Sequence, residues 1–292
     1  MSPTMPLRGH FQTSDGHQLY WERHGNPTGE PVFFVHGGPG GYSSPEHLGF
    51  FDLEIFSVVL FDQRGCGRSL PQGRLTKNCT ALLVEDIDSL RQFFGFEKIS
   101  LLGVSWGSWL VLQYQHQYQE RVLRSVVASV FVPIEEVYAP YDQALANSLT
   151  HLGSPDNPHT LQHIHDALCS DNAERQRAAA LLWSKAQLCD KLSTDQLEAF
   201  VDDVAIASIR LDLHYHLNRY FCRPEDVSLQ VGAMTTMVQG VFDHCGMLSL
   251  RWLQQRSQGR SRLVRAGHNA FEPRLYKAIK QELQIINKLT TE

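Results

Sequence analysis

A serine bracketed by glycines, in Gly103-Val104-Ser105-Trp106-Gly107, is the residue of this sequence best suited to attack a carbonyl carbon. The pentapeptide fits G-x-S-x-G, and small residues on either side permit the sharp, strained turn that lifts a nucleophile clear of its surroundings. A serine hydroxyl is a weak nucleophile at neutral pH. It needs a base to take its proton and a carboxylate to fix the tautomer of that base. His268 follows a strand-like run and a glycine in Val264-Arg265-Ala266-Gly267-His268-Asn269, and Asp243 closes Gln239-Gly240-Val241-Phe242-Asp243 at the end of a strand expected over Met237 to Phe242. The order serine, acid, histidine is the one that accompanies this pentapeptide. Taken singly, the three are an ordinary turn serine, turn aspartate and surface histidine. Together they point to acyl transfer through Ser105, Asp243 and His268.

Acyl transfer also requires two N–H groups aimed at the tetrahedral oxyanion. The glycine-rich run His36-Gly37-Gly38-Pro39-Gly40-Gly41, which follows the apolar run Val32 to Val35, is suited to supply one of them. The expected donors are the amides of Gly38 and of Trp106, the latter because it follows the serine directly. A phosphate-cradling loop is the competing interpretation, but the lysine and the serine or threonine of such a loop are missing.

These residues need a frame. Leu19 to Arg23 and Pro31 to Val35 read as short strands joined across Gly25-Asn26-Pro27, an expected N-terminal β-hairpin. Phe56 to Phe61 and Ile99 to Val104 are mostly apolar, as strands buried on both faces are. Between them Leu83, Ile87, Leu90 and Phe94 recur at helical spacing, with Gly95 as a stop. Trp106 to Tyr118 reads as a helix and Val122 to Val132 as a strand. Strands alternating with helices imply an α/β fold with a mostly parallel central sheet. From Glu135 to about Leu229 strand signal fades and helix formers dominate, with loop-like breaks at Gly153 to Pro158 and Cys189 to Thr194. The division expected is therefore a core in two parts, 1–134 and 230–292, around a helical insertion at 135–229. The longest inserted helix should start at the capping box Ser193/Gln196 and continue past Phe200, Val204 and Ile209 towards Tyr215. Strand pattern returns at Met234 to Val241 and Arg262 to Ala266, and a last helix is expected from about Pro273 to Lys288.

Composition narrows the function. The chain has 292 residues, 42% hydrophobic and 20% charged, with a net charge of −5 and no basic stripe that would suit a phosphate backbone, so nucleic acid is not an expected partner. No stretch approaches the ~18 apolar residues of a membrane helix, and Met1 to Arg8 lacks a signal-peptide core, so no membrane association and a cytoplasmic location are expected. The six cysteines, Cys66, Cys79, Cys169, Cys189, Cys222 and Cys245, are scattered and read as reduced thiols. Fourteen histidines could suggest metal, yet there is no HExxH, and the pairs His163/His165 and His214/His216 sit two apart, on different faces of a helix. No metal and no cofactor are expected, and nothing in the sequence specifies an oligomeric state.

With these residues assembled, the chain resembles the proline iminopeptidases, the prolyl aminopeptidase branch of the α/β-hydrolases. The likeness spans nearly the whole length. It is carried by His36 to Gly41, by Asp62-Gln63-Arg64-Gly65-Cys66-Gly67-Arg68-Ser69, by Gly103 to Ser108 and by Gly267-His268-Asn269-Ala270-Phe271-Glu272. The resemblance implies an α/β-hydrolase fold with an inserted helical cap, Ser105, Asp243 and His268 as triad, and release of N-terminal proline from a small or peptide substrate with a free amine. It also implies that Asp212, in Arg210-Leu211-Asp212-Leu213-His214-Tyr215, stands where the family has a glutamate that binds the amine, and that Phe131 lines an apolar pocket for the pyrrolidine ring. On residue type alone, Asp212 could equally be a solvated helix acid and Phe131 plain core.

The sequence departs from the family in three places. Gln239-Gly240-Val241-Phe242-Asp243 stands where the family reads His-Gly-Arg-Tyr-Asp, Trp183-Ser184-Lys185-Ala186-Gln187 lacks a Trp-Glu pair, and the stretch from Phe221 to Met234 is short. These changes leave the triad intact and bear on which substrate is admitted. A carboxylesterase acting on a small non-peptide ester is therefore the alternative activity, and a non-catalytic ligand-binding protein the alternative of another class.

Overall fold

The computed structural model describes residues 7–152, 161–188, 193–222, 232, 234–256 and 258–285. Its frame is an eight-stranded sheet: β1 Leu7–Gln12, β2 Gln18–Gly25, β3 Glu30–Val35, β4 Phe56–Phe61, β5 Ile99–Val104, β6 Val122–Ala128, β7 Thr235–Gly240 and β8 Arg260–Val264, in the order β1-β2-β4-β3-β5-β6-β7-β8. Only the pairs β1/β2 and β2/β4 are antiparallel; β4, β3, β5, β6, β7 and β8 run parallel. Alternate residues of the apolar strands feed opposite faces. Phe33, Val35, Val59, Phe61, Leu101, Val127 and Met237 join one buried cluster, while Val32, Phe34, Val58, Leu60, Leu102, Val126 and Val238 join the other. Helices α1 Thr80–Phe93 and α2 Trp106–Gln117 cover the first face.

Between β6 and β7 the regular elements among the described residues include the helices α3 Glu135–Leu152, α4 Leu161–Leu168, α5 Ala173–Leu188, α6 Thr194–Phe200 and α7 Asp203–Leu217, and no strand. Of these, α3, α4, α5 and α7 share an apolar cluster of their own around Leu149, Leu168, Ala180, Trp183 and Leu213. After β7 come α8 His244–Gln254, which joins the first face through Leu250 and Leu253, and α9 Pro273–Ile285, which covers the second through Leu275, Ile279 and Leu283.

The N-terminal hairpin is not the one expected. β4 lies between β2 and β3, and the hairpin is β1/β2, with Gln12 opposite Gln18. The buried run Val32 to Val35 of β3 needs neighbours on both sides, whereas β1, exposed at Leu7, Arg8, His10 and Gln12, suits an edge. β6 ends at Ala128 and not at Val132, because Ser129 turns the chain at φ +48°. The next three amides then donate to side chains instead of a strand: Val130 to Gln239, Phe131 to Ser108 and Val132 to Ser249.

The helix expected from Ser193 to Tyr215 is two helices. The capping box forms, Ser193 accepting from the Gln196 amide and Gln196 from the Ser193 amide. A break follows at Val201, and Asp202 recaps the chain by accepting from Ala205 N at 2.8 Å. β7 ends at Gly240, before the expected Val241, and β8 occupies Arg260–Val264 where Arg262 to Ala266 was expected. The breaks at Gly153 to Pro158 and around Cys189, the end of the last helix at Lys288, and most of the short stretch before Met234 lie outside the described residues.

Candidate active site

Ser105 sits between β5 and α2 with φ 54° and ψ −124°, a conformation that costs about 1–3 kcal/mol and persists only where the surroundings enforce it. Its amide donates to the Ala128 carbonyl at 3.0 Å, and its carbonyl accepts from both the amide and the hydroxyl of Ser108. The flanking glycines are obligatory for packing: a Cβ on Gly107 would overlap the Val35 carbonyl oxygen, and one on Gly103 the Gly107 carbonyl oxygen.

The Ser105 hydroxyl donates to His268 Nε2 at 2.9 Å, and His268 Nδ1 donates to Asp243 Oδ2 at 2.7 Å. The carboxylate can only accept, so it fixes the proton on Nδ1 and leaves Nε2 free to accept. Asp243 is the N-cap of α8 and not a strand end: Oδ1 accepts from Gly246 N at 3.0 Å, and Oδ2 accepts from Gln239 Nε2 at 2.9 Å besides His268. Burial alone would push the Asp243 carboxyl up, but the hydrogen bond and charge of His268, with the Gly246 and Gln239 donors, hold it below the usual carboxylate range. Three side chains from the ends of β5, β7 and β8 thus form one continuous relay, able to deprotonate a hydroxyl as it attacks and to stabilise the resulting imidazolium.

Two residues of this arrangement escaped the sequence reading. Gln239 is fully buried, and its carboxamide bridges Val130 N at 2.7 Å to Asp243. A polar side chain inside the apolar run Met237-Val238-Gln239-Gly240-Val241 was the available signal. Ser129 donates its hydroxyl to the His268 carbonyl at 2.6 Å, and only its position just past a strand could have marked it.

The glycine loop is tied down by the second motif. Gln63 donates its amide to His36 Nε2 at 3.0 Å and its Nε2 to the His36 carbonyl at 2.9 Å, while its Oε1 accepts from the Trp106 indole at 3.1 Å. Burial drives the His36 imidazole down to about 4, so the ring is neutral and can accept. The buried Asp62 holds Ser43 and Arg68, closing the far end of the loop. Gly37 approaches Ser105 so closely that an added Cβ would lie 3.3 Å from its Cβ. Trp106 is the first residue of α2, where no intrahelical carbonyl reaches its amide. Gly40, at φ +87°, lies under α7, and a Cβ there would overlap the Ser208 carbonyl oxygen.

Two cavities flank the Gly37–Gly38 step. One of about 550 Å3 is lined by Gly37, Ser105 and His268, with Phe34, His47, Val104 and Asn269 to Glu272. The other, about 320 Å3, is lined by Gly38, Pro39, Trp183, Ser184, Phe200 and Asp212, among others. Asp212 is part-buried on α7 and has no hydrogen-bond or ion-pair partner among the described residues; burial pushes its carboxyl up to about 7. The Trp183 to Gln187 segment, where the sequence departs from the family, thus faces the same cavity as Asp212. Phe131 borders neither cavity and packs against the rings of Trp106 and Tyr220.

Among the described residues no group of three or more His, Cys, Asp or Glu side chains is arranged to hold a metal ion. Cys66, Cys79, Cys169 and Cys245 are free thiols, and Cys189 lies outside the described residues. Burial pushes the Cys66 and Cys245 thiols up, away from the reactive thiolate. No described helix is long and apolar enough to cross a membrane.

Known proteins share this fold. Residues 30–167 match the family model described as alpha/beta hydrolase fold, and the sheet order and the turn carrying Ser105 define the chain as an α/β-hydrolase. It is 34% identical to the proline iminopeptidase of Neisseria meningitidis serogroup A, with 95% of each chain covered, and 34% identical to that of Arabidopsis thaliana, covering 96% of this chain and 78% of the other. The proline iminopeptidase of Xylella fastidiosa strain Temecula1 is 32% identical, with 93% of both chains covered. The chain belongs to the proline iminopeptidase family. Among solved structures, a proline iminopeptidase-related protein from Thermus thermophilus shares the fold at TM-score 0.62 and 20% identity, over 98% of this chain and 96% of that one. An esterase from Exiguobacterium antarcticum does so at TM-score 0.64 and 17% identity, over 96% and 100%.

Proposed function

We propose that this protein is a serine aminopeptidase that releases N-terminal proline, or another small residue, from peptides through an acyl-enzyme on Ser105. The observation that carries the reading is the unbroken Ser105–His268–Asp243 relay in a chain of this family. Ser105 Oγ attacks the scissile carbonyl as its proton passes to His268 Nε2; the oxyanion accepts from the amides of Gly38 and Trp106. Collapse of the tetrahedral species breaks the C–N bond, and the same proton leaves on the departing amine. Water, deprotonated by His268, then hydrolyses the ester and frees the amino acid.

Selectivity for a free N-terminus is assigned to Asp212. A carboxylate without a protein partner, facing a cavity beside Gly38, suits a substrate ammonium, and the pair would hold because neither charge has a competing partner there. Residues 135–229 act as the cap over core segments 1–134 and 230–292, with α7 seated on Gly40. Phe131 belongs to the apolar wall behind Trp106. The same reading assigns the enzyme to the cytoplasm, where its free thiols stay reduced.

A carboxylesterase acting on a small neutral ester is the second reading, favoured by the fact that Asp212 and Ser105 line separate cavities. Replacing Asp212 with alanine separates the two. Under the aminopeptidase reading, kcat/KM for substrates bearing a free amine falls by at least about tenfold relative to neutral esters. An equal fall in both, or none in either, removes the amine anchor. Mass spectrometry after treatment with a fluorophosphonate checks the nucleophile: the adduct is expected on the peptide containing Ser105, and labelling elsewhere would contradict the assignment.

A further inference from the structure

We infer that the 550 Å3 cleft beside Ser105 is a leaving-group subsite selective for neutral, apolar and preferably aromatic residues following the scissile bond. The inference rests on the acyl-transfer reading above and adds the side of the substrate that reading leaves open. Its chemical basis is the path of one proton. His268 Nε2 takes the Ser105 proton and must return it to the departing atom, so the leaving group exits past His268. His268 borders this cleft and not the cavity that holds Asp212, and the cleft wall continues along the segment following His268. A substrate with its amine at Asp212 and its carbonyl at Ser105 therefore extends its second residue here.

The walls state what that residue should be. Phe34 and His47 stack at 4.4 Å, Phe271 packs on His47 at 5.3 Å, and Val104 and Ala270 complete an apolar surface. Burial lowers the His47 imidazole and favours its neutral form. Phe271, which lines the cleft, is 42% exposed, a large apolar ring left open to solvent beside a reactive serine. Among the described residues no lysine or arginine lines the cleft, and the carboxylate that does, Glu272, accepts from Gly267 N through both oxygens at 3.0 and 2.9 Å. Nothing there matches a negatively charged leaving group, whereas a ring can stack.

The test uses two pairs of substrates, each with one acyl part. Prolyl-phenylalanine amide is compared with prolyl-glycine amide, and 3-phenylpropyl acetate with propyl acetate, whose leaving alcohols are of similar basicity. Ratios of kcat/KM are read, because that constant contains acylation and not the shared deacylation step. The wild type is expected to favour the aromatic member of each pair by at least about tenfold. Phe271→Ala should bring both ratios to within about threefold of unity, and Phe271→Trp should retain the preference. Ratios near one in the wild type, or equal in all three proteins, overturn the subsite. The wild-type ratios decide even if Phe271→Ala does not fold. If the prolyl amides are not cleaved while the ester ratio behaves as expected, the aminopeptidase reading fails and the subsite stands; if the prolyl amides are cleaved without preference, the reverse holds.

Discussion

Two donors converge on one oxygen of Asp243, the imidazole N–H of His268 and the carboxamide of Gln239, and the second of these fixes the carboxylate before any substrate arrives. Because Gln239 also accepts from Val130 N, its replacement by leucine should both loosen Asp243 and strand a buried amide. The expected outcome is a fall in kcat of about tenfold with little change in KM, the scale of losing a group that orients a reacting residue. Urea denaturation should show a loss of about 1–3 kcal/mol. Asp212 behaves in the opposite way. Its carboxyl is pushed up to about 7 in the fold, so the anion that would bind a substrate ammonium under the proposed function predominates only above that pH. KM for free-amine substrates should therefore fall as pH rises through about 7, and Asp212→Asn should abolish that dependence. The folded-state value is raised, so the stability it contributes is lost as pH rises from the unfolded value of about 4 towards 7. Asp212→Asn should accordingly melt at a higher temperature than the wild type at pH 8, the gain shrinking as pH is lowered towards 5; a constant difference across that range would contradict the shift.

At the scale of elements, caps decide where the inserted helices begin and end. Asp202 restarts the helix that carries Asp212, and removing its side chain in Asp202→Ala should cost about 1 kcal/mol in a denaturation experiment. That break was not legible in the sequence, because Phe200, Val204 and Ile209 continue one helical periodicity across it and the only sign was a second capping residue. The short β6 was hidden for a related reason. Val130, Phe131 and Val132 look like strand, and only the side chains of Gln239, Ser108 and Ser249, distant in sequence, take their amides elsewhere. The strands β4 and β5, by contrast, were legible to the residue, since an apolar run between turn residues has few other fates in a sheet covered on both faces. Ser105, Asp243 and His268 were legible because their residue types, chain order and strand-end positions constrain one another. Gln239 and Ser129 were not, since their partners are fixed only by the packing of β6 against β7.

For the whole molecule, the parallel sheet is what makes the site possible. β5, β6, β7 and β8 are neighbours running the same way, so the residues just past their ends, Ser105, Ser129, Asp243 and His268, emerge along one edge although they are spread over more than half the chain. Crossover connections on either face leave that edge open, which is where open α/β sheets bind their ligands. The glycine loop after β3 brings Gly38, the proposed oxyanion donor, to that edge, and the helices between β6 and β7 bring Asp212 to the same loop. Under the proposed function this edge cleaves prolyl amides through Ser105. The most direct measurement is hydrolysis of proline p-nitroanilide beside p-nitrophenyl acetate by the wild type and by Ser105→Ala. The expected result is release of nitroaniline by the wild type and a loss of at least about a thousandfold in the variant. Nitroaniline release that survives in Ser105→Ala, or Ser105-dependent cleavage of the acetate alone, would contradict it.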